Sequence, residues 1–415
     1  MKLLWITNTL FPDVCQELGI DSPVIGGWMY SGAKALLNED ETIQLAVATL
    51  YNGKEIKTLY LNGIYYFLLP RKKQNDNYDK KLEKYWESIG SQFRPDVVHI
   101  HGTEFPHGLA YVRACSNKSV VVSIQGLVSV CERYFYGGIT RLTLLRNTTI
   151  RDIVRFDTIF MQHTNMYFRG YWEKKIIQSV DHVIGRTSWD KVHTWALNPT
   201  ANYHFCNEIL RNEFYKNKWE LEKCEKYSIF LSQANYPIKG LQKMVEALPL
   251  IIQHFPDAKV YVAGNDFVTN RGWRLNGFGK YIRSLIKKNG LTNRIIFTGS
   301  LSEENMCQRY LYSHIFVCPS SIENSSNSVG EAQLLGVPCI ASYVGGMSDL
   351  IVHKETGLLY RFEEIEMLAC AVCEVFSDDI LAEKLSKEGR KVATSRHNSQ
   401  QNAQQLIAIY KNIAE

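Results

Sequence analysis

Short apolar runs of strand length alternate with stretches of helical spacing along almost the whole chain. KLLWIT is followed by GWMYSGAKALLN; IQLAVATL, PDVVHIHG, SVVVSIQG and HVIGRT come next, with a helical stretch from about residue 107 after PDVVHIHG. A strand, a helix and a second strand in succession form the unit of a parallel sheet, so this rhythm restricts the fold to the layered α/β class. The pattern loosens between 200 and 226, in a polar, charge-rich segment. It then restarts with YSIFLSQ, GLQKMVEALPLIIQHF, AKVYVAG, a helix near 277–289, RIIFTG, IFVCPS and PCIAS.

Two such series in 415 residues imply two Rossmann-like domains whose strand-end loops face a cleft. The sequence places the first at 1–205 and the second at 206–395. NSQQNAQQLIAIYKNIAE reads as one amphipathic helix, about 396–415, packing back on the first domain. Composition excludes several other classes. Apolar residues at 45% and charged residues at 21% are ordinary globular values, and no run of about 18 apolar residues could span a bilayer. MKLLWITNTLFPD is too short and too quickly polar for a signal peptide and reads as a first buried strand, so a cytoplasmic location is expected. Ten scattered cysteines, with Cys370 and Cys373 the only close pair, read as reduced thiols, and no metal site is expected. A net charge of +5 over this length is too weak to argue for nucleic acid, and no nucleic-acid partner is expected.

The stretch SSIENSSNSVGEAQLLGVPCIAS sets Glu323 and Glu331 eight positions apart with mostly small and polar residues between them. IFVCPS before it reads as a strand and EAQLLG after it as a helix closed by glycine, so Glu323 sits on a strand-end loop with Ser328 as the N-cap. Free N–H groups at such a helix start suit an anion. Ser328-x-x-Glu331 also fits a capping box, in which Glu331 reaches back to its own helix start, and the local pattern leaves both readings open. Lys239-Gly240 opens another helix, where an ammonium and helix N–H groups could converge on the same anion; a surface lysine beside a glycine is the alternative. Gly26-Gly27, after the first strand, would let the backbone approach a ligand closely. His99 and His101 share one strand face; His99 reads as a hydrogen-bonded core residue and His101, nearer the carboxyl end, as the cleft residue.

Taken together, PVIGG, DVVHIHG, IKG before an amphipathic helix, and the E-x7-E of SIENSSNSVGEAQLLGVPCIASYVGG resemble the retaining glycosyltransferase family 4, of GT-B fold, over nearly the whole chain and most closely over 227–362. The resemblance implies transfer of a sugar from a nucleotide-diphosphate sugar to a glycan or lipid-linked acceptor, with retained anomeric configuration and no cofactor or metal. It implies that Glu323 contacts the donor sugar, Glu331 the ribose hydroxyls and Lys239 the leaving diphosphate. The backbone at Asn327 and Ser328 would cradle that diphosphate, Gly26 and Gly27 would close over the phosphates, and His101 would line the acceptor or donor-sugar rim. Two departures stand out. Ser232 and Gln233 occupy the place of the family's usual Arg, for which Arg271 or Arg274 could substitute, and Gln125 replaces a frequent His. An amide can orient a substrate oxygen but takes no proton.

Residues 132–175 hold eight Lys or Arg against four Asp or Glu, with many aromatics between them. That composition suits a peripheral contact with the inner face of a membrane, or a solvated helical excursion packing its aromatics inward. Two rival functions share the fold: a nucleotide-sugar 2-epimerase-like enzyme, and a non-catalytic nucleotide-sugar binding protein.

Overall fold

The computed structural model describes residues 1–21, 26–71, 77–115, 119–270 and 272–415. They group into two compact units, one of Met1–Glu132, Asn165–Leu210 and His397–Glu415, the other of Arg133–Thr164 and Arg211–Arg396.

The first unit is built on β1 (Lys2–Thr7), β2 (Gln44–Tyr51), β3 (Lys57–Leu61), β4 (Ile64–Pro70), β5 (Val97–His101), β6 (Val120–Ser123), β7 (His182–Gly185) and β8 (Asn202–Phe205), in the order β3-β4-β2-β1-β5-β6-β7-β8. Neighbouring strands run parallel except β3 and β4, a hairpin turned at Asn62-Gly63 with φ of 49° and 83°, the backbone that an Asn-Gly turn favours. Successive β1 residues face opposite cores: Leu4 and Ile6 enter one, Leu3 and Trp5 the other. Burial on both faces is why the central strands read as unbroken apolar runs.

The second unit carries β9 (Glu225–Leu231), β10 (Lys259–Val262), β11 (Ile295–Phe297), β12 (Ser313–Cys318), β13 (Cys339–Ser342) and β14 (Leu358–Tyr360), all parallel, in the order β11-β10-β9-β12-β13-β14. Strand order reverses between β1 and β5 in the first sheet and between β9 and β12 in the second. At each reversal the connecting chains leave toward opposite faces of the sheet, which opens a crevice at the carboxyl ends of those two strands.

The final helix, Ser399–Ala414, is capped by Asn398, whose side chain accepts the Gln401 N–H (2.9 Å). It packs within the first unit, placing Ile407, Tyr410 and Ile413 in the core beside Trp5, with the Tyr410 hydroxyl 2.6 Å from His99 Nδ1.

The division differs from the sequence boundaries in two places. The chain leaves the first unit after Leu210 rather than at 205, because Cys206 still packs in that unit's core and Ile209 lines its pocket. The excursion 133–164 groups with the second unit, because hydrogen bonds fasten it there. The Ser321 hydroxyl donates to the Tyr134 carbonyl (3.0 Å) and the Gln242 amide to the Gly137 carbonyl (2.8 Å). Asp152 closes a capping box with Thr149 and also accepts the Gly277 N–H at 2.8 Å. Asp152→Ala removes acceptors from two backbone donors at once and should lower unfolding stability by about 1–3 kcal/mol. An unchanged urea midpoint would show that the excursion is not held through this carboxylate.

Candidate active site

The crevice in the second unit is assembled by loops packed at backbone contact. After β9 the chain passes through Ser232–Tyr236 into a single turn, Pro237–Lys239, ending at Gly240 with φ +74°. A Cβ on Gly240 would lie 1.7 Å from the Pro319 carbonyl oxygen, so only glycine lets this loop press against the end of β12. Ser321 N–H donates to the Ile238 carbonyl (2.8 Å) across the same contact. On the far side, Gly345, the first glycine of YVGG, has φ +53°, and a Cβ there would come within 1.9 Å of the Glu323 carbonyl oxygen. Gly346 N–H donates to that oxygen at 3.0 Å.

The result places Lys239 Nζ 2.6 Å from Glu323 Oε1, which also accepts the Ser320 hydroxyl at 2.8 Å. Both side chains are largely buried. Burial works against the lysine charge, but the Glu323 carboxylate, aided by Tyr236 and Cys318, outweighs it and holds the ammonium above the ordinary lysine range. A pocket of about 260 Å³ opens beside the pair, lined also by Ser232, Gln233, Ser326 and Ser328. Ser326 and Ser328 belong to the start of the helix Asn327–Leu335, so its N-terminal end borders the pocket. Arg274 is exposed and outside the lining, and Arg271 lies outside the described residues.

Two local expectations change here. The N-cap is Ser326, not Ser328, and its side chain makes no capping bond. Glu331 therefore sits too deep in the helix to close a capping box and instead forms a bidentate pair with Arg211, Oε1 to Nε at 2.7 Å and Oε2 to Nη2 at 2.8 Å. Burial pushes the Glu331 carboxyl up and the Arg211 charge pulls it down; the forked geometry is that of an ion pair. Sequence reading missed Arg211, which stands 120 residues away in a segment without a motif. Glu331 is not among the residues lining the 260 Å³ pocket.

The first unit has its own pocket of about 510 Å³, lined by Trp5, Trp28, His99, His101, Arg186 and Glu208 among others. His99 is fully engaged, with Nδ1 on Tyr410 and Nε2 on the Ser123 hydroxyl, as a core residue should be. His101 is 4% exposed, and neither ring nitrogen has a hydrogen-bond partner among the described residues. Its ring stacks on His99 at 3.7 Å between centroids and lies 4.3 Å from Trp5. Arg186 pairs with Glu208 (2.7 Å) and donates to the Gln125 carbonyl (3.2 Å). Gly26 and Gly27 begin the helix Gly27–Glu39, whose next residue, Trp28, reaches the pocket. Pro23–Ile25 of PVIGG lie outside the described residues. The candidates thus fall into two groups: Lys239, Glu323, Asn327, Ser328 and Glu331 in the second unit, and Gly26, Gly27 and His101 in the first. No three His, Cys, Asp or Glu side chains converge as metal ligands among the described residues.

The family model for glycosyl transferases group 1 matches residues 211–392, the part of the second unit that holds the Lys239–Glu323 pocket. Over that segment the chain resembles the group 1 glycosyltransferases. It is 22% identical over 344 residues to N-acetyl-alpha-D-glucosaminyl L-malate synthase of Bacillus anthracis, covering 81% of this chain and 80% of that protein. Sucrose-phosphate synthase from Thermosynechococcus elongatus superposes with a TM-score of 0.71 at 17% identity, over 99% of this chain and 98% of that one. Anabaena HepE, solved in complex with UDP and glucose, superposes with a TM-score of 0.66 at 14% identity, over 99% and 100%. The two sheet units are those of the GT-B fold.

Two outcomes follow from the buried charges. Burial lowers His101 from the ordinary imidazole value of 6.5 to about 3. As pH falls below 6.5 the unfolded chain takes up a proton that the folded chain refuses. The stability contribution is therefore complete above 6.5 and lost between 6.5 and about 3, by up to about 1.4 kcal/mol per pH unit. His101→Phe should flatten the acid-side loss in urea unfolding, and parallel pH curves for variant and wild type would contradict it. Glu331→Ala leaves Arg211 buried without its counter-ion and should cost about 3–5 kcal/mol, whereas Glu331→Leu with Arg211→Leu should recover most of that. A single-variant loss near 1 kcal/mol, the scale of a helix cap, would contradict the ion-pair reading.

Proposed function

We propose that the protein moves a sugar from a nucleotide-diphosphate sugar to a glycan or lipid-linked acceptor, with retention at the anomeric carbon, as a hexosyltransferase acting without metal or other cofactor. The second unit binds the donor and the first, through the pocket around His101, binds the acceptor. The observation that carries this reading is a lysine–glutamate pair beside a helix N-terminus, at the point where strand order reverses.

As the bond between sugar and diphosphate breaks, negative charge gathers on the leaving phosphate. Groups already oriented toward that charge lower the barrier without having to reorganise. Lys239 and the N–H groups at the start of the helix Asn327–Leu335 are such groups, so they fill the role that a divalent ion plays in other transferases. The Lys239–Glu323 contact must open when the diphosphate arrives, and Glu323 is then left facing the donor sugar. Glu331, held in place by Arg211, takes the ribose hydroxyls. Gly26 and Gly27 close over the phosphates. UDP bound to HepE of the same fold supports a nucleotide donor. The reading places the enzyme in the cytoplasm, at the inner face of the membrane.

Thermal-shift measurements with UDP, GDP, ADP and their sugars identify the base, because a ligand that binds only the folded state raises its stability. With that nucleotide, Lys239→Ala should weaken calorimetric affinity by about 2–4 kcal/mol, the scale of a charge-assisted contact in a partly dry site. Glu323→Gln should lower turnover about a hundredfold or more and leave affinity nearly unchanged. Full turnover in Glu323→Gln would remove it from the reaction. A new sugar formed from donor alone would instead identify an epimerase, and chelator-sensitive transfer would overturn metal independence.

A further inference from the structure

The excursion 133–164 turns one side to the second unit and leaves another bare. Leu144 and Asp152 are buried, whereas Leu142, Leu145, Ile150, Ile153, Val154 and Phe156 are all exposed, Ile150 by 73% and Phe156 by 75%. Single exposed apolar side chains are ordinary, but six between Leu142 and Phe156 make a patch. Phe156 adopts φ +53°, a left-handed conformation rare for an aromatic residue, at the turn that leaves its ring in solvent. Local strain kept in order to expose an apolar ring points to use of that ring.

The charges around the patch have one sign. Arg141, Arg146 and Arg155 are exposed within it. The two acids of the segment, Asp152 and Asp157, are both engaged by Arg151, at 2.9 and 3.0 Å. Lys280 adds a further cation, donating to the Arg146 carbonyl at 3.2 Å. A two-fold contact with a second copy would set these arginines against their own counterparts, so the charge disfavours self-association.

We propose that this face docks on an anionic bilayer surface, the aliphatic and Phe156 side chains entering the headgroup region while the arginines engage lipid phosphates. The bonds that fasten the excursion run to Ser321 and Gln242, in the segments that carry Glu323 and follow Lys239. A docked patch therefore holds the pocket at the membrane. That use rests on the transferase reading with a lipid-linked acceptor, but the docking itself does not.

Co-sedimentation of the full chain with phosphatidylcholine vesicles, and with vesicles of phosphatidylcholine and phosphatidylglycerol, tests the proposal. Binding should require the anionic lipid, weaken with salt, and fall about tenfold or more in Ile153→Ser/Phe156→Ser and in Arg146→Glu/Arg155→Glu. Both variants should keep the wild-type unfolding midpoint and the wild-type stabilisation by nucleoside diphosphate. Vesicle binding by a protein that no nucleotide stabilises would uphold docking while removing the donor reading. The proposal is overturned if the wild type fails to sediment with anionic vesicles or if the arginine variant binds them equally well. A dimer in sedimentation velocity that Ile153→Ser/Phe156→Ser dissociates would assign the face to a second copy instead.

Discussion

Backbone crowding at the end of β12 is the constraint on which the second unit's site depends. Gly240 lets the loop after β9 touch Pro319, and Gly345 lets the loop after β13 touch the Glu323 carbonyl, each at a distance that no side chain would permit. The two contacts clamp the Glu323 loop from both sides and bring the Lys239 ammonium onto its carboxylate. Removing two charges from water is costly and their attraction returns little net stability, so such a pair is poorly explained as a structural brace. Under the proposed transfer it is a cation kept charged for an incoming diphosphate.

Buried charges also mark two of the four places where the chain crosses between its units, after Leu210 and after Arg396. On the outward crossing, Glu208 is paired with Arg186 in the first unit, and three residues later Arg211 is paired with Glu331 in the second. On the return, Arg396 donates to the Leu350 carbonyl at 3.0 Å in the second unit, and His397 Nδ1 lies 2.8 Å from the Glu208 carbonyl in the first. Each of these two crossings is anchored on both sides by groups that would be expensive to leave unpaired. Arg211 and Glu331 consequently link the route of the chain to a helix that begins at the candidate pocket.

The excursion 133–164 shows what composition can and cannot tell. Its basic and aromatic character was plain in the sequence, but two explanations fitted: a packed solvated excursion or a surface for a membrane. The structure divides the segment into a packed side and an exposed side. Leu144 and Asp152 pack inward, while a run of aliphatic side chains and Phe156 stay in solvent. Which residues took which role followed from the position of Gly277 and Gln242, both more than a hundred residues further along.

The parallel-sheet rhythm, the two series, the final helix and the glycines of IKG and YVGG were legible because each depends on neighbours in the chain. Period, turn chemistry and left-handed backbone are local properties. Local reading failed where two local answers competed. Ser328-x-x-Glu331 has the spacing of a capping box, yet the helix begins at Asn327 and the Glu331 carboxylate turns to Arg211. The edge strands β3 and β8 were also missed, because edge strands carry polar residues that hide the apolar signal. Which residues could carry chemistry was therefore written in the sequence. Which charges meet, and which unit the excursion joins, was decided only by tertiary structure, since an ion pair between residues 120 positions apart leaves no trace in the pattern around either one.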